Sequence, residues 1–567
     1  MSNNFGMMTR ATVAVSLAAL TLTACGDNKN TIPSSPEARI KSLAARLPAT
    51  SEASVYLADF SGFKASAAQL QDTLGPAAAE LKSGQEELKT KFGIDLSNPE
   101  SLKEAAGISP KGGLALGLAD NRSTLMIYVE DAAKFDAFMK DKIGKELEIT
   151  GEPKEETIGE AKVKVLGEDV KKQIAWTHFG KMAIVASPQL EEGAGGEASI
   201  AKYVANLTTT EKAKSTAESA AFKQFISEFG GTYMLAGFAN LDAVKKSSFY
   251  DKAKKGMESE PGGKESIAQF EKYGRSLGFG TTTEGSNSKI KLFVGGTEEL
   301  NTIYKSVGSD VADNPFIGFA TEKTIAAARI SVNFTAMWAA YKKLAPAEQA
   351  AELDKALKKA GEAAKLDIEK DILGQLTGNI GLFFYGIDLA SAMAGMQDPM
   401  KGIAAVELAF GIEFKSADAL KKIVDAALAQ AGPMLGPDGG FKDVDGVKGA
   451  KVLTLPQGVG ALVTYEGVLA YSTPAITPVK LGKLLANTAE DKKITTTLGK
   501  PLATKKSYGG LFVSSSMLAK ALGPMATANP EAKKFFDTVE ELSLSFDGSD
   551  NGISAVIQIQ TKGASSK

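Results

Sequence analysis

Few side chains in this sequence can do chemistry, and their scarcity narrows what the protein can be. It has one cysteine, Cys25, and one histidine, His178. That excludes a disulfide framework within the chain, a Cys/His zinc site and a pair of His ligands. His178 lies beside Trp176 in KQIAWTHFG, which reads as a strand. Acid–base work there would need a nucleophile and an orienting carboxylate, and the expected role is structural or at the surface. Ser61 to Lys64 has the S-x-x-K spacing and Ser549-Asp550-Asn551 the S-D-N sequence of serine acyl-transfer machinery, but no K-T-G completes the set. Asp547 to Gly552 begins like a calcium loop, yet its twelfth position is Gln558, where a bidentate Glu is needed. Alternating flanks make a hairpin turn the simpler reading of that segment. Met393, Met396 and Met400 sit in DLASAMAGMQDPMKG. Three readings stay open for them: internal packing, adaptable contact with lipid or a partner, and soft ligation of Cu(I). No catalytic residue, metal site or cofactor is assigned, and the three methionines are candidate partner or lipid contacts.

The charge balance removes another class. Among 567 residues, 65 Lys and Arg face 67 Asp and Glu, a formal charge of -2. No field of that size recruits nucleic acid. Only six of the basic residues are arginine, the side chain suited to bidentate phosphate recognition.

The N-terminus carries an address. A polar segment ending at Arg10 is followed by an apolar run from Ala11 to Ala24, the order of a signal peptide. At about 14 residues this run is short of the roughly 20 that span a bilayer. It ends in Leu22-Thr23-Ala24-Cys25, which resembles the lipobox of bacterial lipoproteins. The resemblance implies a diacylglycerol on the Cys25 thiol, cleavage between Ala24 and Cys25, and acylation of the new amino terminus. Gly26, standing where enterobacterial lipoproteins retained at the inner membrane have Asp, implies the outer membrane, facing periplasm or cell surface. Residues 1–24 are then signal peptide and residues 25–37, with Pro33 and Pro36, a lipidated tether.

Self-comparison organises the rest. FGKMAIVASP from Phe179 aligns without gaps on YEGVLAYSTP from Tyr465, and AKVKVL from Ala161 on AKVLTL from Ala450. FGGTYMLAG from Phe229 matches YGGLFVSSS from Tyr508, VYLADF from Val55 matches RISVNF from Arg329, and the closing hairpin from Gly278 matches that from Leu544. Five matches in one order predict two homologous repeats, residues 38–305 and 315–562, with a linker at 306–314 and a polar tail at 563–567. Strands at hairpin spacing between amphipathic helices predict an α+β class, each repeat a mainly antiparallel sheet with helices packed on one face. LDIEKDILGQLTGNIGLFF from Leu366, with a weaker counterpart at Gly93, resembles a bacterial envelope domain family of unknown function, in which a Leu-Thr-Gly turn precedes a strand.

The expected protein is therefore a membrane-anchored envelope lipoprotein, a non-catalytic binding or scaffold protein using two similar domains on an envelope partner. A second reading is binding or transfer of lipid or another hydrophobic ligand, with small residues in GGLALGLA, GVGALVTY and GIAAVELAFG leaving room under the helices. A third is an envelope hydrolase using Ser61 and Lys64.

Overall fold

Arg122–Tyr128 is buried at every position but one. Such a strand has no solvent face and must be covered on both sides. The computed structural model describes residues 31–58, 83–189, 199–210, 214–229, 233–260, 262–308, 313–395, 398–435, 440–503 and 509–562. Cys25, Ala24, Ser61, Lys64 and Met396 lie outside the described residues. The chain divides into two units, one ending at Thr297 and the other beginning at Glu298. The helix Glu298–Gly308 thus groups with unit 2.

Unit 1 is built on the strands β1 (Ala53–Leu57), β2 (Leu114–Ala119), β3 (Arg122–Tyr128), β4 (Lys154–Ile158), β5 (Ala161–Leu166), β6 (Ile174–Phe179), β7 (Met182–Gln189), β8 (Leu235–Asn240), β9 (Gly274–Glu284) and β10 (Asn287–Gly296). They pair in the order β4-β5-β6-β7-β3-β2-β1-β8-β9-β10, every neighbour antiparallel. The relevant helices are α1 (Pro36–Ala44), α2 (Glu100–Ala106), α3 (Ala132–Phe138), α4 (Ile200–Thr208) and α5 (Ala220–Phe229). Side chains start several of them: Ser35 caps α1, Asp131 caps α3 and Ser199 caps α4, each accepting from an amide three residues on.

Adjacent residues of a strand point to opposite faces, and in unit 1 both directions are apolar. Tyr56, Met126, Ile184 and Phe293 pack against α1, α4 and α5. Phe222, Phe225 and Phe229 form one stripe of α5, and Phe222 meets Tyr56 edge-on at 5.7 Å. On the other face, Leu57, Leu125, Ile127, Trp176 and Val185 pack against α2 and α3 through Leu102, Ala106, Phe135 and Phe138. The expectation of helices on one face is therefore corrected. Continuous apolar runs such as STLMIYV, with no polar alternation, are the physical reason, because they leave no side for water.

Unit 2 has the strands β11 (Ala326–Ser331), β12 (Leu376–Ile387), β13 (Val406–Phe414), β14 (Lys442–Asp443), β15 (Lys451–Thr454), β16 (Ala461–Tyr465), β17 (Val468–Ser472), β18 (Gly509–Ser514), β19 (Val539–Ser549) and β20 (Gly552–Thr561). Their antiparallel order is β14-β15-β16-β17-β13-β12-β11-β18-β19-β20. Each strand holds the place of its namesake ten numbers lower in unit 1. Its relevant helices are α6 (Phe334–Leu344), α7 (Ala347–Ala364), α8 (Leu389–Ala394), α9 (Pro399–Ala404), α10 (Ala417–Leu435) and α11 (Pro478–Leu485). One face is closed by Phe316, Phe319 and the α11 residues Leu481, Leu484 and Leu485 over Phe383, Val463 and Phe512. The described class is α+β on antiparallel sheet.

The sequence matches fall on corresponding strands, though not all of them in register. FGKMAIVASP and YEGVLAYSTP cover the β6–β7 and β16–β17 hairpins, where Phe179 pairs Met182 and Tyr465 pairs Val468. The match between Phe229 and Tyr508 is out of register: β18 begins at Gly509 but β8 only at Leu235. Gly237 and Leu511 hold the same position beside Val55 and Ala328. The shared Gly-Gly aligns the two segments ahead of the strands.

Candidate functional site

The two units differ in how the second face of the sheet is treated. In unit 1 that face supports a core of 21 buried apolar residues. In unit 2 the corresponding cluster has three, Leu376, Phe414 and Leu420, with Phe334, Ile412, Ile423, Val424 and Leu469 around them. This end is closed by α10 and the first residue of α6.

Register gives the composition of the remainder. Tyr471 lies beside Phe410, Phe410 beside Leu382, Leu382 beside Ala328, Ala328 beside Leu511, Leu511 beside Leu544 and Leu544 beside Ile557. An adjacent row on the same face holds Ile380, Ile330, Gly509, Phe546 and Ala555, and reaches the closed end at Ile412. Seven strands thus turn apolar side chains to one side, across about 29 Å at ~4.8 Å per strand. Ile330 is 46% exposed, Phe546 42%, Leu382 39%, Leu511 38% and Phe410 36%. These five side chains present roughly 400 Å² of apolar surface, at the scale of a patch that is usually functional. Covering it fully would be worth about 10 kcal/mol at ~25 cal/mol per Å².

The helices nearest in sequence do not close this face. No residue of α6 is buried, and of the 18 residues of α7 only Gly361 is. Met337 and Tyr341 on α6 and Leu353 on α7 stay exposed. The cleft beside α7 is charged, lined by Lys342, Asp354, Lys358, Glu362 and Glu369 among others. Lys342 bridges Glu369 at 2.6 Å and Asp354 at 3.5 Å, which pairs three of those charges.

The small residues expected to leave room beneath helices do not do so. A Cβ on Gly117 would lie 2.6 Å from Leu47, and one on Gly411 2.4 Å from Phe316. Core side chains fill those notches, Leu47 in unit 1 and Phe316 in unit 2. In unit 1 the open part of the other face is smaller: Leu277, Phe279, Leu292 and Val294, paired across β9 and β10, are exposed.

The remaining candidates have structural surroundings. His178 on β6 shares its Nε2 with Asp136 Oδ1 at 2.9 Å, and Asp136 also accepts from Trp176 Nε1 at 2.7 Å and Lys164 Nζ at 2.6 Å. His178 Nδ1 is buried with no hydrogen-bond partner among the described residues. With one ring nitrogen engaged and the other enclosed, the imidazole clamps α3 to β6. Burial alone would raise the Asp136 carboxyl, but hydrogen bonds from His178, Lys164 and Trp176 bring it down to about 2. A carboxylate whose pKa is depressed on folding stabilises above its unfolded value, 3.8, and loses that contribution as the pH falls toward 2. Asp136→Asn should accordingly cost unit 1 about 2 kcal/mol at pH 7. In urea titrations followed by the buried Trp176, the deficit should shrink toward zero near pH 2. A deficit that is equal at both pH values would refute this.

Asp547 to Gly552 closes the β19–β20 hairpin, with Lys305 on Asp550 at 2.6 Å. Among the described residues no group of three or more His, Cys, Asp or Glu could hold a metal, and no helix is long and apolar enough to cross a membrane. Met393 on α8 is 66% exposed, and Met400 on α9 is half-buried. The chain matches no family model, no curated protein and no solved structure.

Proposed function

We propose that this chain is a lipid-anchored envelope lipoprotein, most readily of the outer membrane, that acts by binding rather than catalysis, and that its second unit binds the acyl part of an amphiphile. The observation that carries the ligand class is the open face of unit 2, seven strands wide and apolar throughout. Its span is close to the roughly 30 Å hydrocarbon thickness of a bilayer, room for acyl chains lying across the strands. The lipobox ending at Cys25 supports the anchor, and several acyl chains make such attachment stable. The common strand order of the two units supports an origin by duplication. The near-neutral charge speaks against nucleic acid. A scaffold role for unit 1 has its own support, since Leu277, Phe279, Leu292 and Val294 form a compact patch better matched to a protein surface than to an acyl chain.

One preparation tests anchor and ligand together. Cys25→Ala should move the chain from the membrane pellet to the washed soluble fraction, and native mass spectrometry of that material should show an added mass of lipid size. Retention in the pellet with fatty-acid label would refute the anchor. A bare mass, together with no uptake of a dansylated fatty acid, would refute the ligand.

A further inference from the structure

The strand pair β2–β3 is closed by the two residues Asp120 and Asn121, whereas the corresponding pair β12–β13 is joined by α8 and α9. A hairpin of this kind needs only the short turn, so the longer excursion is not required to close the sheet. Its two aspartates are engaged locally as helix caps. Asp388 caps α8, accepting from the amides of Ala390 and Ser391, and Asp398 caps α9, accepting from Met400 N and facing Lys401 at 3.7 Å. A Cβ on Gly395 would lie 2.3 Å from the Gly402 Cα, so the two short helices meet through glycine with no side chain between them. Beside the exposed Asp388 and Lys401, they present outward Ala390, Met393, Ala394, Ile403 and Ala404, with Met393 66% and Ile403 37% exposed.

This tip continues the open face. Ile387 pairs with Val406 at the base of α8 and α9, Phe384 with Leu408 next, then Leu382 with Phe410. Apolar side chains therefore run from the tip onto the sheet without an intervening charged row on that face. We propose that the α8–α9 hairpin is a membrane-contacting element, which seats shallowly in the interfacial region of a lipid bilayer and delivers acyl chains to, or receives them from, the face behind it. The inference rests on the acyl-binding reading. A bilayer fits the tip because its outward apolar side chains are small or flexible and the exposed Lys401 beside them can meet lipid phosphate, the mixed apolar and basic surface of an interfacial helix. The excursion also lies next to the surface that would have to exchange lipid.

The Cys25→Ala chain has no thiol, so Ala394→Cys in that background accepts an environment-sensitive nitrobenzoxadiazole label at one place. Adding phosphatidylcholine vesicles should shift its emission to the blue and raise its intensity, while the same label at Asp550→Cys, in the distant β19–β20 turn, should not respond. Met393→Asp with Ile403→Asp should reduce vesicle co-sedimentation about tenfold and leave dansylated fatty-acid affinity unchanged. A label at Ala394→Cys that is silent with vesicles overturns the tip assignment, including in favour of a protein partner. Loss of fatty-acid binding by the unmutated tip chain would instead overturn the acyl-binding reading, so the two failures are distinguishable.

Discussion

Phe410→Asp combined with Leu511→Asp should weaken dansylated fatty-acid binding by at least about 100-fold while leaving the protein folded. Phe410 and Leu511 lie in one cross-strand row with Leu382 and Ala328 between them, so a chain lying along this central row would meet both carboxylates. Each would have to be stripped of water beneath an acyl chain, at a cost of several kcal/mol. That exceeds what the rest of the face can return after the ordering costs of binding. The folded state should tolerate both changes, because the side chains are already 36% and 38% exposed and a strand substitution costs no more than about 1 kcal/mol on propensity. Phe279→Asp on unit 1 should leave the affinity unchanged. Full fatty-acid affinity in the double variant, with intact circular dichroism, would remove the open face from the binding site.

Why that face escaped the sequence reading is a physical matter. Alternation reports which side of a strand is apolar, and Leu382, Phe410, Ile330 and Leu511 alternate as core residues do. It cannot report whether anything lies on top. The missing information was in the helices: α7, AEQAAELDKALKKAGEAA, offers only two large apolar side chains, Leu353 and Leu357, too few to close a seven-strand surface. The β19–β20 hairpin carried the complementary signal, with Leu542, Leu544, Phe546, Ile557 and Ile559 on one side and Ser543, Ser545, Gln558 and Gln560 on the other. Its polar side is turned toward the closed face. Local signals were more dependable. The β6–β7 and β16–β17 hairpins were legible because a tight turn fixes register on both sides of it. Asp136 was not singled out, since nothing in AAKFDAFMK marks the one carboxylate that meets Trp176, His178 and Lys164 from another element.

Gly378→Ala should be the most destabilising single-methyl change in unit 2, by about 3 kcal/mol or more. The Leu-Thr-Gly segment that stood out in the sequence opens β12, where the register to β13 shifts between Leu376 and Ile380. Gly378 has φ +102, and a Cβ there would lie 1.9 Å from the Val332 carbonyl oxygen and 2.7 Å from its carbon. These are backbone atoms, so no rotamer change relieves the clash, and moving β11 away would break the Val332 N to Gly378 O bond at 3.2 Å. The adjoining polar set would go with it. Ser331 donates to Asn379 Oδ1 at 2.8 Å, while Asn379 Nδ2 and Thr377 Oγ1 both donate to Glu413 Oε2, at 2.8 and 2.6 Å. Gly113 makes a similar approach in unit 1, where a Cβ would lie 2.8 Å from the Leu57 carbonyl oxygen. Gly446→Ala is the control: its φ is +72 but nothing lies within 4 Å, so strain alone should cost about 1 kcal/mol. Each unit contains one of the two tryptophans, Trp176 and Trp338, so the urea transition of unit 2 can be followed at Trp338. A Gly378→Ala midpoint no lower than that of Gly446→Ala would show that the carbonyl contact does not hold the start of β12.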